Sequence, residues 1–574
     1  MSSWLAGGLL TLDGEGHKIV RVSKVGAAAS GISLSRFSGL IRSVLITNVL
    51  GIGLVGDAFA AAQRIPNILQ NLFGEGALSA AFVPEYSRIS DDDPDQAGRL
   101  AGGVASFLIS LVAFLTAIGF LAAKPLTKAV AWGFTGERFD LTVRLVRIIL
   151  LGSGVLVISA WCLAVLNSHG RLFLSYAAPV IWNLAQITVL ITLALYEIRG
   201  SSSAEKLAWA LVIGSILQVL IQIPSVLRQN PHIRLNIFWK DKSTALVLKR
   251  FFPAILGRGA LQLSSFIDLA LASLLSLGAA SSLAAAQTLY LLPVALIATS
   301  VVAAELPELS RSNDVADMSE RLSRRLLQML WFVGPILAMY LAAGHQIADA
   351  LFNLGGFRIR IMQDDLAVIG LTLAAYSLAL PALMSSRLLQ SACFSSGDTT
   401  TPARIATKRV IVSLIAGAVL MFQFEQILIL GQSLIGFGDL KLVWGPLSDV
   451  TRNSSELPAR LGPVGLALGS ALGAWFEFWL LRKHVVANWG LKRLTNSSLW
   501  RHIVPTLFAF GAAVTLRQLK IEQPLFHLCL IGVGVLVVYF GISGFFGTPS
   551  QSQLVSDLRA NRSNSNHEED LKSL

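Results

Sequence analysis

Long apolar runs alternate with short polar segments along nearly all of the 574-residue chain. The runs show neither the two-residue alternation of a half-buried strand nor the one-sided stripe of a surface helix. About 20 mostly apolar residues suffice for a helix to cross a bilayer. The pattern therefore predicts an all-α polytopic membrane protein with about fourteen spans. They lie near 31–54, 62–85, 100–123, 143–166, 173–196, 206–227, 248–275, 281–306, 324–346, 366–393, 405–430, 461–481, 500–516 and 524–546. Residues 1–24 read as a cytoplasmic N-terminal extension rather than a cleaved signal, because a short apolar patch precedes the charged segment instead of following it. The Ser- and Asn-rich segment 548–574 reads as a disordered cytoplasmic tail.

Two distant segments resemble each other. Ala60–Arg88 begins AAAQ and ends PEYSR, and Ala284–Arg311 begins AAAQ and ends PELSR, with spacings that differ by one residue. The offset of about 224 residues covers six predicted spans, so both copies keep one orientation, as in transporters built from parallel repeats. This divides the chain into a six-helix lobe over 25–230, a second over 245–485, and two additional helices over 498–547. Proteins of this design bind cargo between their halves and alternate access by rocking.

Composition agrees with this picture. Charged residues make up 14% and hydrophobic residues 54% of the chain, against roughly a quarter charged in soluble domains. The formal net charge of +12 sits in short loops, where it sets orientation rather than binding nucleic acid. Arg228, Arg234, Lys240, Lys242, Lys249 and Arg250 fall on one side; so do Arg311, Arg321, Arg324 and Arg325, then Arg404, Lys408 and Arg409, and later Arg482, Lys483, Lys492 and Arg493. The opposite loops are poorer, with Arg358 and Arg360 in one and Lys441, Arg452 and Arg460 in a long one. Both termini are thus expected in the cytoplasm. The acidic Ser90–Arg99 segment departs from the pattern, although acids weigh little in it.

Cys162, Cys393 and Cys529 lie in apolar runs with no zinc or disulfide spacing, and the histidines form no metal motif. Gly51–Gly56 (GIGLVG) matches a dinucleotide-binding pattern but lacks any βαβ setting. No catalytic constellation appears, so the chain is not expected to be an enzyme.

Charged side chains at bilayer depth mark candidate sites. The first two spans hold Arg36, Arg42, Asp57, Arg64 and Glu75. Arg36 and Arg42 stand about 9 Å apart along a helix and share a broad face. Two guanidinium forks facing a cavity suit a pyrophosphate; snorkelling, or pairing with Asp57 or Glu75, is the alternative. In the second half Arg258, Asp268, Glu305 and Arg387 lie at similar depth, with Asp398 at a helix end. Arg258 and Asp268, about 15 Å apart on one helix, would need partners elsewhere.

The segments Ser35–Arg42 (SRFSGLIR), Gly56–Phe59 (GDAF) and Arg64–Glu85 (RIPNILQNLFGEGALSAAFVPE) resemble the opening of the MurJ-type lipid II flippases, members of the multidrug/oligosaccharidyl-lipid/polysaccharide exporter superfamily. Ala177–Asn183 (AAPVIWN), Pro253–Gly257 (PAILG) and Gly397–Ala403 (GDTTTPA) extend the resemblance over most of residues 30–545. It implies a V-shaped, fourteen-helix fold with a central cationic cavity. Arg36 and Arg42 would correspond to essential cavity arginines, and Asp57 to an acid of the first loop. Two further cavity arginines are replaced by Gln70 and Thr288, and an acid after the second arginine by Ser43. Gln and Thr hydrogen-bond a phosphate without offsetting its charge, leaving Arg64, Arg258 or Arg387 to compensate.

The resemblance also implies a sodium ion held by Asp268 and Asp398, although the companion asparagine is Phe394 here. No cofactor is expected beyond that ion or coupling to the membrane potential. The function implied is flipping of undecaprenyl-pyrophosphate-linked peptidoglycan precursor (lipid II) across the bacterial cytoplasmic membrane. Export of another polyprenyl-linked glycan or lipid, or a non-transporting scaffold, are the alternatives.

Overall fold

The computed structural model describes residues 17–73, 78, 81–90, 92–236, 243–251, 267–298, 315–353, 361–431, 433–436, 442–490, 496–546 and 548. It forms two compact units, Met1–Ser281 with Gly356–Arg360, and Ser282–Gly355 with Ile361–Leu574. The first unit ends at Ser281. Residues 273–281 stay with the first unit because they bond to it: Gly133 N donates to Ser273 Oγ at 3.0 Å, and Asp57 holds Gly278 and Ser281.

In the first unit, α1 (His17–Leu50) and α2 (Leu54–Phe73) are joined at Gly51–Gly53. The φ of Gly51 is +71°, which a side chain would resist, so the GIGLVG segment serves as a turn. α3 (Val83–Ser90) follows, and then α4 (Pro94–Leu121). The acidic segment before α4 finds its use here: Asp93 accepts from Gln96 N at 2.8 Å as the N-cap, and Pro94 opens the helix. Asp95 pairs with His232 at 2.6 Å. After α5 (Ala123–Val130), α6 (Gly136–Ser168) runs through the middle of the unit, touching α2, α4, α7 (Leu172–Leu195) and α8 (Ser201–Gln229). Its core neighbours include Phe82, Tyr86, Leu100 and Leu108 around Trp161 and Leu166.

The second unit takes in most of α9 (Ala279–Pro293), which continues into a π turn at Val294–Ala298, and then α10 (Val315–Phe352). α11 (Gln363–Ser377) and α12 (Leu380–Ser395) form a pair bent by 42° where one span was expected. α13 (Thr400–Phe424) and α15 (Gly462–Trp489) flank a segment with β1 (Leu428–Leu430), β2 (Ser433–Ile435), α14 (Asp449–Asn453) and β3 (Ala459–Arg460). The strands form an antiparallel sheet in the order β2-β1-β3, with Leu428 opposite both Ile435 and Arg460. Strands this short carry little periodicity, and the helical pattern around them hid them. α16 (Asn496–Leu516) and α17 (Pro524–Phe545) pack on α10. Trp331 anchors them, its Nε1 donating to Ser543 Oγ at 2.9 Å while its carbonyl accepts from the Tyr539 hydroxyl at 2.7 Å.

Among the described residues ten helices are long and apolar enough to span a membrane, or eleven with the bent pair. The predicted span 248–275 falls largely outside the described residues. The arginines and hydroxyl residues of α1 and the charges of α2 dilute their apolar runs.

α13 and α15 approach each other at glycines: a Cβ added to Gly469 would land on the Gly417 backbone. Small residues at such crossings let membrane helices pack backbone to backbone. Gly469→Val is expected to cost about 1–3 kcal/mol through overpacking. Thermal unfolding of the purified protein in detergent checks this; an unchanged midpoint would remove the crossing as a source of stability.

Candidate functional site

Arg42 lies on α1, and its guanidinium is positioned by α7. Its Nη1 donates to Asn183 Oδ1 at 3.0 Å, and its Cζ stacks 4.4 Å over the Trp182 ring. Asn183 is fixed in turn, donating to Ser38 Oγ at 2.8 Å and to the Ser35 carbonyl at 3.2 Å. The Trp-Asn pair thus orients the guanidinium from one side. Arg42 Nε is buried with no acceptor among the described residues. A pre-aimed guanidinium with donor capacity left over suits a phosphate oxygen. Arg36, six residues earlier, is exposed.

Asp57 has a different setting. It is fully buried and receives three hydrogen bonds: from Gly278 N at 2.9 Å, Ser281 N at 2.8 Å and Ser281 Oγ at 2.8 Å. Arg138, only 1% exposed, completes the site with an ion pair of 3.2 Å. The Arg138 guanidinium lies 4.2 Å over the Phe134 ring. Asp57 therefore joins α2 to the start of α6 and to the first turn of α9. Among its bonds there is none to Arg36, Arg42 or Arg64, so the pairing with cavity arginines considered from sequence is replaced by one with Arg138.

Arg64 is half-buried on α2. Gln70 lies on α2, but its side chain, like Glu75 and Arg258, is outside the described residues, as is Glu305. Thr288 on α9 donates its hydroxyl to the Ala284 carbonyl at 3.0 Å, which occupies its one proton within its own helix. Arg387 is exposed on α12, and Asp268 is half-buried in the first unit.

Asp398, between α12 and α13, explains the GDTTTPA segment. Gly397 takes a φ of +83°, and Asp398 Oδ1 accepts from Thr401 N at 3.0 Å and Thr400 Oγ1 at 3.2 Å. Oδ2 meets His484 Nε2 at 3.1 Å. The Thr401 amide and hydroxyl, with smaller help from Thr400 and His484, hold the Asp398 carboxyl down at about 2. With the folded value below the unfolded one, the carboxylate's contribution to stability is complete above about pH 4 and lost as pH falls through 2. Among the described residues no three His, Cys, Asp or Glu side chains gather as a metal site.

Two features escaped sequence reading. Glu477 on α15 is 1% exposed; it accepts from Arg409 Nη1 at 2.8 Å and from Gln390 Nε2 at 2.9 Å. Arg409, which falls among the basic residues at the edge of the predicted span 405–430, lies within α13, which begins at Thr400. Arg138 was passed over because the polar start of α6 reads as a loop before a span. In the first repeat copy, Glu85 is buried beside Arg88 at 2.5 Å and Arg250 at 3.7 Å, so its PEYSR ending forms an ion-pair cluster. The second copy's ending lies outside the described residues.

Comparison with known proteins bears on the whole arrangement. The family described as "Lipid II flippase MurJ" matches residues 46–445. A "Probable lipid II flippase MurJ" of Bdellovibrio bacteriovorus is 30% identical over 410 residues, covering 69% of this chain and 76% of its own. One of Rickettsia prowazekii is 26% identical over 529 residues, 90% and 94% of the two chains. A solved structure of "Lipid II flippase MurJ, inward closed conformation" has a TM-score of 0.71 at 22% identity, covering 90% of this chain and 98% of that one. The likeness in fold to that structure, and the family match over residues 46–445, which takes in the end of α1, α2, α7 and the GDTTTPA turn, lead to one conclusion: the chain is a multi-pass membrane protein that belongs to the MurJ lipid II flippase family.

Proposed function

We propose that the protein flips lipid II, the undecaprenyl-pyrophosphate-linked peptidoglycan precursor, across the bacterial cytoplasmic membrane, with both termini in the cytoplasm and no bond made or broken in the cargo. The observation that carries this reading is the half-buried Arg42 guanidinium, stacked on Trp182 and tied to Asn183 through Nη1. Such a group recognises a phosphate through short charge-assisted hydrogen bonds. Asp398, one of the two acids implied for a sodium ion, already accepts from the Thr401 amide and the Thr400 hydroxyl and meets His484.

Rescue of a strain depleted of its own lipid II flippase tests the proposal. A well-expressed protein should restore growth and cell shape, and failure would sink it. In reconstituted vesicles Arg42→Ala should slow flipping roughly 10- to 100-fold, the worth of a charged hydrogen bond. Arg42→Lys should recover little, because a point charge cannot form the fork. A second reading, another polyprenyl-linked cargo, is favoured by Gln70 and by Thr288, whose hydroxyl serves its own helix. Competition between lipid II and other polyprenyl-linked glycans in the same vesicles separates the two.

A further inference from the structure

An apolar groove of about 640 Å³ runs along the surface of the first unit between α4 and α6. Ile109, Ala113, Ala117 and Phe120 line it from α4, and Leu151 and Ile158 from α6. Of its eleven lining residues only Thr116 has a polar side chain. The two helices pack tightly at Gly154, where an added Cβ would come within 2.6 Å of Val112 Cγ1. Both helices are long and apolar enough to cross a membrane, and Ile109, Phe120, Leu121 and Leu151 are left exposed along the groove, a lining suited to lipid rather than to water.

Its dimensions and charge define an occupant. From Ile109 to Leu121 the groove follows α4 for about 18 Å, close to one leaflet of a hydrocarbon core about 30 Å thick. At one end stands Arg147, one turn before Leu151 on the same face of α6, with its Cζ 5.3 Å from the centre of the Phe120 ring. Arg147 sits where the polar start of α6 gives way to the mostly apolar run from Ile148. An arginine at such a boundary can extend its guanidinium to the headgroup region. Arg144, one turn earlier, is already paired with Glu205 at 3.0 Å. Among the described residues Arg147, which is half-buried, has no such ion-pair partner.

We infer that this groove is a binding site for an anionic phospholipid, with one acyl chain lying between α4 and α6 and the phosphate held by Arg147. A polyprenyl tail is much longer than one leaflet and would leave most of its length outside. With the termini cytoplasmic, as proposed above, the lipid belongs to the outer leaflet; the groove and its cation do not depend on that orientation or on the cargo.

Native mass spectrometry of the full-length protein, titrated with phosphatidylglycerol or phosphatidylethanolamine, tests the inference by binding alone, so its outcome is independent of transport. The wild type should retain one phosphatidylglycerol about fivefold more readily than phosphatidylethanolamine, as expected for one cation near a lipid phosphate. Arg147→Gln should abolish that preference, and Arg147→Lys should keep most of it. Ala117 faces outward, so Ala117→Phe adds bulk to the groove without disturbing the core and should remove the retained lipid. Selectivity unchanged in both Arg147→Gln and Ala117→Phe would overturn the site. Displacement of phosphatidylglycerol by undecaprenyl phosphate, blocked by Ala117→Phe, would overturn the choice of a phospholipid in favour of a prenyl chain.

Discussion

Asp57→Ala is expected to cost the protein about 3–5 kcal/mol, the usual penalty for removing one member of a buried ion pair. Two losses combine. Arg138, 1% exposed, would keep its charge without the Asp57 carboxylate. The amides of Gly278 and Ser281 and the Ser281 hydroxyl would lose their shared acceptor at the first turn of α9. Unfolding in detergent should show the loss as a large fall in midpoint. The double substitution Asp57→Ala with Arg138→Met separates these causes, since it removes the stranded charge but not the uncapped amides. It should recover more than half of the lost stability, because well-packed apolar residues often replace a buried pair at little cost. If the single variant unfolded like the wild type, the pair would have no structural weight.

The second large effect is expected at Glu477. Glu477→Ala leaves Arg409 facing the α13–α15 crossing without its carboxylate and removes the acceptor of Gln390. Arg409 is 24% exposed and can turn part of its guanidinium towards water, so the cost should fall below that at Asp57, at about 2–3 kcal/mol. Glu477→Gln keeps an acceptor oxygen and should lose roughly half as much. Circular dichroism melts of the three proteins would show whether the order wild type, Glu477→Gln, Glu477→Ala holds. A Glu477→Gln variant less stable than Glu477→Ala would contradict the ion-pair account.

The helical architecture was legible because a span announces itself locally, through some 20 residues that need no knowledge of their neighbours. The family resemblance was legible through short segments whose local jobs the structure explains, such as the GDTTTPA turn and the Trp182–Asn183 support of Arg42. What the sequence could not reveal was partnership. Arg138 is 81 residues from Asp57, and Gly278 is 221 residues away, so nothing in spacing joins them. The polar start of α6 and the basic start of α13 read as loops because hydropathy registers the water-loving side chain and not the helix that carries it. The bend between α11 and α12 and the small sheet after α13 escaped for the related reason that both break a pattern rather than make one. The acidic segment before α4 was visible as an anomaly, and its explanation is local: one of its aspartates caps a helix, and another meets a histidine.

The pairing of Glu477 with Arg409 also constrains how the chain can drift over generations. Losing either partner alone strands a charge among apolar helices, whereas losing both exchanges it for ordinary packing. A lineage can therefore hardly cross from one state to the other through the single substitution. Descendants should carry the acid and the base together, or a matched apolar couple in their place, and mixed combinations should be scarce.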